Sequence, residues 1–141
     1  MLVRLMYASR AVPAVDQEAL LAILRQCKTR NPEHGITGVL CYSDGIFLQV
    51  LEGGRTPVNA LYNRIVADDR HTQVELMSYA EIGERRFAGW SMGQVNMARL
   101  NRALLLKYSA TPTLDPFSVS GDVSMALFEE LVATAAIVGQ S

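Results

Sequence analysis

The sequence predicts an α+β fold in which helices cover both faces of a mixed sheet. Its 141 residues are enough for one domain with its own apolar core. Stretches of strand and helix periodicity follow the order βαββαββ, and two further helical stretches come at the end. Two crossovers through helices on one face of such a sheet define a ferredoxin-like layer. We therefore predict two helices on one face and a C-terminal helical pair on the other.

The strongest local signal is a β-hairpin over residues 35–52. Two apolar runs, rich in β-branched and aromatic residues, flank a short turn that contains Asp44 and Gly45. Both runs are apolar at odd and even positions alike, so both faces of their sheet must be covered. Gln49 interrupts the second run with an amide that would cost roughly 1–3 kcal/mol if it were buried without partners. The hairpin is thus predicted to be central, with Gln49 as its candidate functional residue.

The N-terminal part of the chain predicts one strand and one helix. Residues 2–7 form an aliphatic strand that ends at Tyr7. Asp16 is the predicted N-cap of an amphipathic helix over residues 17–30. The proline that follows Asn31 ends this helix and leaves a polar amide at the rim of the core. Insertion of the third strand beside the first would make Tyr7 and the hairpin amide cross-strand neighbours.

Three more helices are predicted in the rest of the chain. Thr56 reads as the cap of the second helix, with proline at its first helical position, and this helix runs to about residue 69. The C-terminal helices are predicted over residues 97–108 and about 122–138, from apolar residues at helical spacing. Their proline-containing connection favours a pair that packs on the back of the sheet.

Two short strands are predicted between the second helix and the C-terminal pair. They cover residues 73–79 and 90–95. Because side chains two apart on a strand point the same way, the second of these strands is expected to place Trp90 and Met92 on one face.

Composition and charge exclude several classes of function. The 13 basic and 14 acidic residues are spread along the chain, so nothing marks a surface for nucleic acid or an anionic membrane. We expect no membrane span and no signal peptide. Cys27 and Cys41 stand apart, and neither they nor the two histidines have metal-ligand spacing. These features predict a cytoplasmic protein without a metal site.

Six short motifs carry a resemblance to a known family. They are Tyr7, Arg30-Asn31, Gly35-Ile-Thr-Gly38, the run Phe47 to Gly53, the run Asp68 to His71, and the run Arg86 to Met92. In this order and at these distances they resemble BLUF domains, the blue-light receptors that use FAD. The tail is similar to the helical extension of short, stand-alone members. The resemblance implies a BLUF domain over residues 1–96 and a C-terminal extension over 97–141.

The resemblance also implies a set of site residues. FAD would lie, non-covalently bound, between the two helices on one face, with Gln49 between Tyr7 and the flavin. The residues implied to contact FAD are Tyr7, Ile23, Arg30, Asn31, Phe47, Gln49, Arg64, Ile65, Asp68, Arg70 and His71. Trp90 and Met92 are implied to lie close to Gln49 and to take part with it in the photochemistry. Cys27 stands where many relatives carry a small hydroxyl residue.

Blue-light sensing is the function that this resemblance implies. In the family's proposed cycle Tyr7 gives up an electron and then its proton, and the return leaves the hydrogen bonds of Gln49 rearranged by rotation or tautomerism. The chain is expected not to be an enzyme. It would signal to a separate partner protein or through a change of homo-oligomer.

Two other functions remain open from the residues alone. A flavin-dependent reductase would also bind FAD, although the sequence has no G-x-G-x-x-G loop for a nicotinamide partner. A colourless ligand-binding or interaction module would share the fold without the cofactor. Taken singly, Tyr7 and Gln49 are each typical of ordinary buried residues with satisfied hydrogen bonds. The visible spectrum of the purified protein separates these alternatives.

Overall fold

Six strands and four helices make up the part of the chain that the computed structural model describes, residues 1–13, 15–95, 102–134 and 137–138. The strands are β1 Leu2–Ala11, β2 Thr37–Ser43, β3 Ile46–Gly54, β4 His71–Ile82, β5 Gly93–Val95 and β6 Ile137–Val138. The helices are α1 Gln17–Arg30, α2 Arg55–Ala67, α3 Arg102–Tyr108 and α4 Gly121–Ala133. In these ranges no helix combines the length and the apolar character that crossing a membrane requires.

The strands form one mixed sheet in the order β4-β1-β3-β2-β5-β6. Strand β1 lies between β3 and β4 and is antiparallel to both, while β5 pairs in parallel with β2. The two crossovers therefore insert β3 beside β1. The predicted ferredoxin-like α+β fold is confirmed.

The β2–β3 hairpin is the centre of this sheet, as predicted. Its two-residue turn places Asp44 at φ 51° and Gly45 at φ 78°. Positive φ at both central positions is the geometry that matches the twist of a tight hairpin, and Asp-Gly suits it. Every residue of β3 from Ile46 to Gly53 is buried. The continuous apolar run of this strand thus reflects cover on both of its faces.

Two buried clusters lie on opposite faces of the sheet. The front core faces α1 and α2 and contains Val3, Leu5, Tyr7, Leu20, Leu24, Ile36, Leu40, Phe47, Leu51, Val58 and Met92. The back core faces α3 and α4 and contains Met6, Ala8, Val39, Cys41, Ile46, Leu48, Val50, Phe87, Val95, Leu105, Leu114, Leu127, Phe128 and Leu131. The predicted helical pair on the back of the sheet is confirmed.

The N-terminal elements agree well with the prediction. Helix α1 has the predicted bounds, and the Asp16 carboxylate accepts a hydrogen bond from the backbone N–H of Ala19. The helix ends at Arg30, and the proline after Asn31 opens a short 3₁₀ turn. Strands β1 and β4 are both longer than predicted, because pairing with each other extends them past their apolar centres.

The start of α2 was predicted incorrectly. The helix begins at Arg55, with Gly54 as its N-cap and no side-chain capping bond, so Thr56 is not the cap. Strand β3 runs into α2 without a loop. The backbone N–H of Arg55 donates instead to the carbonyl of Met1 at 3.2 Å. A tertiary contact thus satisfies a donor for which the sequence suggested a local side-chain cap.

The C-terminal prediction was correct for its helices and wrong at its end. Helix α4 ends at Ala133 instead of reaching residue 138, and Ser120 caps its start. Ile137–Val138 instead form β6, which pairs with the outer edge of β5. Residues 97–101 of the other predicted helix lie outside the described residues.

Strand β5 is shorter than predicted, and this changes the placement of two candidate residues. It begins at Gly93, so Trp90 and Met92 precede it. Trp90 packs against the back core, whereas Met92 is fully buried in the front core. The prediction that they share a face is wrong, because the backbone bends at residues 91–92 and the two-residue periodicity holds only within a strand.

Candidate functional site

A cleft opens between α1 and α2 above the front face of β1 and β3. It is lined by Tyr7, Ile23, Gln26, Cys27, Arg30, Asn31, Leu40, Phe47, Gln49, Leu61, Arg64, Ile65, Asp68, Arg70 and His71. All eleven residues predicted to contact a cofactor are among these fifteen. The fold therefore brings the whole predicted set together in one place.

Tyr7 and Gln49 form the floor of the cleft. They lie directly opposite each other on the antiparallel strands β1 and β3, as predicted. The phenol of Tyr7 donates a hydrogen bond to Gln49 Oε1 at 2.5 Å. Both side chains are buried, at 4% exposure each. The amide that interrupts the apolar strand is thus met by a phenol on the neighbouring strand.

The nitrogen of the same amide faces sulfur. Gln49 Nε2 donates to Met92 Sδ at 3.3 Å, and the side chain of Cys27 also hydrogen-bonds Gln49. Met92 therefore lies beside Gln49, where the sequence predicted it. Burial raises the pKa of the Cys27 thiol, so this group stays protonated at neutral pH. The amide orientation seen here pairs its oxygen with a strong donor and its nitrogen with weak acceptors.

Tyr7 is a neutral phenol in this environment. Burial raises its pKa above the ordinary value of about 10, and Cys27 and Asp68 add to the effect. The ring lies 5.9 Å from that of Tyr62, and the imidazole of His71 meets it edge-on at 6.3 Å. A buried, neutral phenol packed among aromatic rings can lose an electron and then its proton.

His71 is held by hydrogen bonds at both ring nitrogens. Its Nε2 lies 2.5 Å from the carbonyl of Ile65, and its Nδ1 lies 2.8 Å from Ser9 Oγ. A carbonyl only accepts, so Nε2 carries a proton and donates to it, while Nδ1 shares the second hydrogen bond with the serine hydroxyl. Both nitrogens are therefore engaged within the protein. The ring serves the cleft as a wall, with its edge against Phe47 at 6.2 Å.

Charged side chains stand at the mouth of the cleft. Arg70 donates through Nε and one terminal nitrogen to Asp68, and this pairing holds the pKa of the carboxyl below its usual range. Arg64 lies four residues before Asp68, but it is not its partner. Arg30 and Arg64 are exposed and form no ion pair within the described residues. These two guanidinium groups are the ones available to an anionic ligand.

Asn31 connects the cleft to the segment before β5. Its side chain is 3% exposed, and its Nδ2 donates to the carbonyl of Ser91 at 3.1 Å. The next residue back, Trp90, turns away from the cleft and stacks on Phe87, with ring centroids 6.3 Å apart. Of the two residues predicted beside Gln49, Met92 is there, and Trp90 lies on the other face of the sheet.

Four residues that line the cleft were not predicted as contacts: Gln26, Cys27, Leu40 and Leu61. Leu40 lies opposite Gln49 in the hairpin register, which the two-residue turn fixes, so the sequence held the signal for it. Leu61 lies one helical turn before Ile65 on α2, so the sequence could have predicted it as well. Gln26 is beside the apolar stripe of α1 and gave no signal.

The residues of the cleft lie in a segment that matches a known family. The family model BLUF, described as sensors of blue-light using FAD, matches residues 2–93. The chain belongs to the BLUF family. BLUF domains bind flavin and serve as sensor modules.

Curated relatives and solved structures agree with this assignment. The photoactivated adenylate cyclase subunit beta of Euglena longa is 39% identical over 92 residues, which is 64% of this chain and 11% of the relative. The chain thus spans about a tenth of the length of such curated relatives. Its fold is similar to the photo-activated state of BlsA, at 30% identity and a TM-score of 0.84, over 100% of this chain and 99% of BlsA.

A second BLUF protein, BlrB in its dark state, is 32% identical with a TM-score of 0.76, over 95% of this chain and 96% of BlrB. The similarity to both proteins extends through the C-terminal helices. The chain is therefore similar to short BLUF proteins over nearly its whole described fold, and not only over the residues 2–93 that match the family model.

Proposed function

We propose that this chain is a blue-light photoreceptor that binds FAD non-covalently in the cleft between α1 and α2. The observation that carries the proposal is the hydrogen bond from Tyr7 to Gln49 at the floor of the cleft. It joins an oxidisable phenol to an amide that has two distinct orientations. With this pair, the chain has both groups that the proposed reversible photochemical change requires.

The lining of the cleft fits a flavin. Ile23, Phe47 and Ile65 offer apolar surface for a planar ring. The amides of Asn31 and Gln49 offer donors and acceptors for the polar edge of such a ring. Arg30 and Arg64 at the mouth suit phosphate groups, and a dinucleotide such as FAD carries two of them. These groups support FAD as the flavin of this protein.

Tyr7 would supply the electron and the proton. A bound oxidised flavin would supply a strong one-electron oxidant on absorbing blue light. The buried phenol then loses an electron, and its proton follows along the existing hydrogen bond towards Gln49 Oε1. The return of both to Tyr7 leaves no net redox change. No substrate is converted in this cycle, which is consistent with a sensor rather than an enzyme.

Gln49 would store the change. In the orientation seen here its oxygen accepts from Tyr7 and its nitrogen donates to Met92. Rotation by half a turn would set the oxygen against the methionine sulfur, where two acceptors meet. A tautomer would change donors and acceptors without rotation. Either route gives a second, distinct hydrogen-bond arrangement, and one that donates to the flavin carbonyl would shift absorption to the red.

The signal is proposed to leave through the C-terminal region. Residues 1–96 would act as the sensor and 97–141 as the extension that reads it. The output would be contact with a separate cytoplasmic protein, or a change of homo-oligomer. Light-dependent sedimentation or partner capture should disappear in Gln49→Ala, while Tyr79→Phe, which alters an exposed side chain, should keep it.

The spectrum of the purified protein tests the proposal. We expect a flavin band that moves to the red under blue light and returns in the dark. Chromatography of the released cofactor should give FAD rather than FMN. A band that bleaches on addition of NAD(P)H and does not shift under light would instead favour the reductase. A colourless protein that does not bind added FAD would favour the interaction module.

A further inference from the structure

A carboxylate is buried at the end of the central strand, outside the cleft. Glu52 lies on β3 three residues after Gln49, and its side chain is fully buried. Arg4, directly opposite on β1, donates to Glu52 Oε2 through Nε and a terminal nitrogen, both at 2.8 Å. A buried charge is retained only when it is paired and hydrogen-bonded. The proposed photochemistry assigns this pair no role.

The same carboxylate also holds the loop between β4 and β5. The backbone N–H groups of Arg86 and Phe87 donate to its two oxygens at 3.1 Å and 2.8 Å. Together with Arg4, four donors thus converge on one carboxylate. The loop is secured further by Arg85, whose guanidinium donates to the carbonyl of Gly35 at 2.7 Å. Residues 85–87 are therefore fixed to the β2–β3 hairpin.

This loop contributes to both cores. Its Phe87 is buried in the back core, in the same cluster as Phe128 of α4. Its Arg86 side chain pairs with Glu129 of α4 at 2.7 Å. Further along the same segment, Met92 enters the front core and meets Gln49. One short stretch of backbone thus touches the candidate switch residue at one end and α4 at the other.

We propose that Glu52 is a positioning residue that couples the Gln49 site to α4. Because its carboxylate ties residues 86–87 to the strand that carries Gln49, a shift of β3 at the Gln49–Met92 contact moves Phe87 and Arg86 with it. Without that anchor the loop would absorb the displacement locally. The inference rests on the proposed function of Gln49, and it adds the route by which a change there reaches the C-terminal helices.

Glu52→Gln tests the anchor in the full chain loaded with FAD. The amide keeps the size of the carboxylate, but it removes the charge and turns an N–H₂ donor towards other donors. Two quantities are measured: the light-induced red shift, and the light-minus-dark difference in hydrogen exchange of the α4 backbone. We expect the red shift to persist and the exchange difference to be lost. Glu81→Gln, at the exposed Arg55–Glu81 pair, should change neither.

The exposed ion pair between Arg86 and Glu129 gives an independent test that leaves the buried Glu52 unchanged. Glu129→Arg sets two cations against each other and should remove most of the exchange difference. The exchanged pair Arg86→Glu with Glu129→Arg should restore it. Such rescue would show that the pairing of residues 86 and 129, and not the identity of residue 129 alone, carries the effect.

The outcomes separate the two proposals. If the variants show the red shift and the exchange differences of the wild type, the coupling role of Glu52 is overturned. The proposed photoreceptor function is then unaffected. A Glu52→Gln protein that loses the red shift as well also overturns the coupling role, since the residue is then only structural. If Glu52→Gln does not fold, the Arg86 and Glu129 variants decide. A wild-type protein that shows no red shift overturns the proposed function, and the inference with it.

Discussion

The front and back faces of the sheet are built from the same strands and yet do different things. On β1, Tyr7 points to the front core and Met6 to the back core. On β3, Gln49 points to the front, and its neighbours Leu48 and Val50 point to the back. Because side chains alternate along these two adjacent strands, the polar pair lies on the front face and its apolar neighbours lie on the back face of the same regular sheet.

The difference between the faces lies in what each leaves unfilled. The back core is closed by apolar side chains of α3 and α4. The front face keeps a cleft between α1 and α2, with a phenol and an amide at its floor. The apolar back core can therefore supply most of the stability of the fold. This allows the front face to hold polar groups that packing alone would not select.

The most complete effect is expected from Tyr7→Phe on the front face. Loss of the hydroxyl removes the proposed electron and proton donor, so the light-induced red shift should vanish while bound flavin remains. The amide oxygen of Gln49 loses its donor, at a cost of about 1–3 kcal/mol in the free energy of unfolding. Light-minus-dark spectra measure the first quantity and urea unfolding the second. A full red shift in this variant would show that another residue is the donor, and Tyr79→Phe is the matched control.

Leu48→Ala is the back-face counterpart, and it should affect stability alone. The side chain is 1% exposed, so its truncation should lower the free energy of unfolding by about 2–5 kcal/mol. The red shift of the remaining folded protein should be unchanged. Leu106→Ala, at an exposed position, should stay within about 0.5 kcal/mol of the wild type. A lost red shift with full stability would contradict the separation of the two faces.

Arg64→Gln sharpens the comparison at the mouth of the front cleft. One charged hydrogen bond to a phosphate should be lost, so FAD affinity should fall about tenfold, which equals about 1.4 kcal/mol. Riboflavin has no phosphate, and its affinity should stay the same. Fluorescence titration with both ligands measures the difference. Arg25→Gln, on α1 outside the cleft, serves as control, and an equal loss for both flavins would exclude the assigned contact.

The smallest effect is expected from the Asp68–Arg70 pair at the rim. Arg70 lowers the pKa of Asp68 in the folded protein, so the pair stabilises the fold above the unfolded pKa of about 4. That contribution is lost as the pH falls through the lower, folded pKa. Because the carboxyl is 27% exposed, Asp68→Asn should cost at most about 1 kcal/mol at neutral pH. Thermal unfolding should show the difference at neutral pH and none in strong acid.

Most of the fold could be predicted from local patterns. The Asp44-Gly45 turn and its flanking runs gave the hairpin, and Asp16 gave the start of α1. The strand order followed from the two crossovers, and with it the facing positions of Tyr7 and Gln49. These features depend on turn chemistry, capping and periodicity, all of which act over a few residues.

Two of the errors share one cause, which is contact between distant parts of the chain. At the start of α2 the N–H of Arg55 donates to Met1, and Ile137–Val138 pair with β5 instead of extending α4. Trp90 and Met92 part because the backbone bends before β5 begins. The anchor of Glu52 on the loop at residues 86–87 spans more than thirty positions. No window of sequence contains both partners of such a contact.

Except for β6, the sequence by itself determined the elements, their order and the family, because hydrophobic period, turn residues and spaced motifs are properties of neighbouring positions. Only the tertiary structure decided which groups meet: the phenol of Tyr7 with one end of the Gln49 amide, the sulfur of Met92 with the other, and Trp90 on the opposite face. Hydrogen bonds and packing act over a few ångströms. Such distances are fixed only when the whole sheet is assembled.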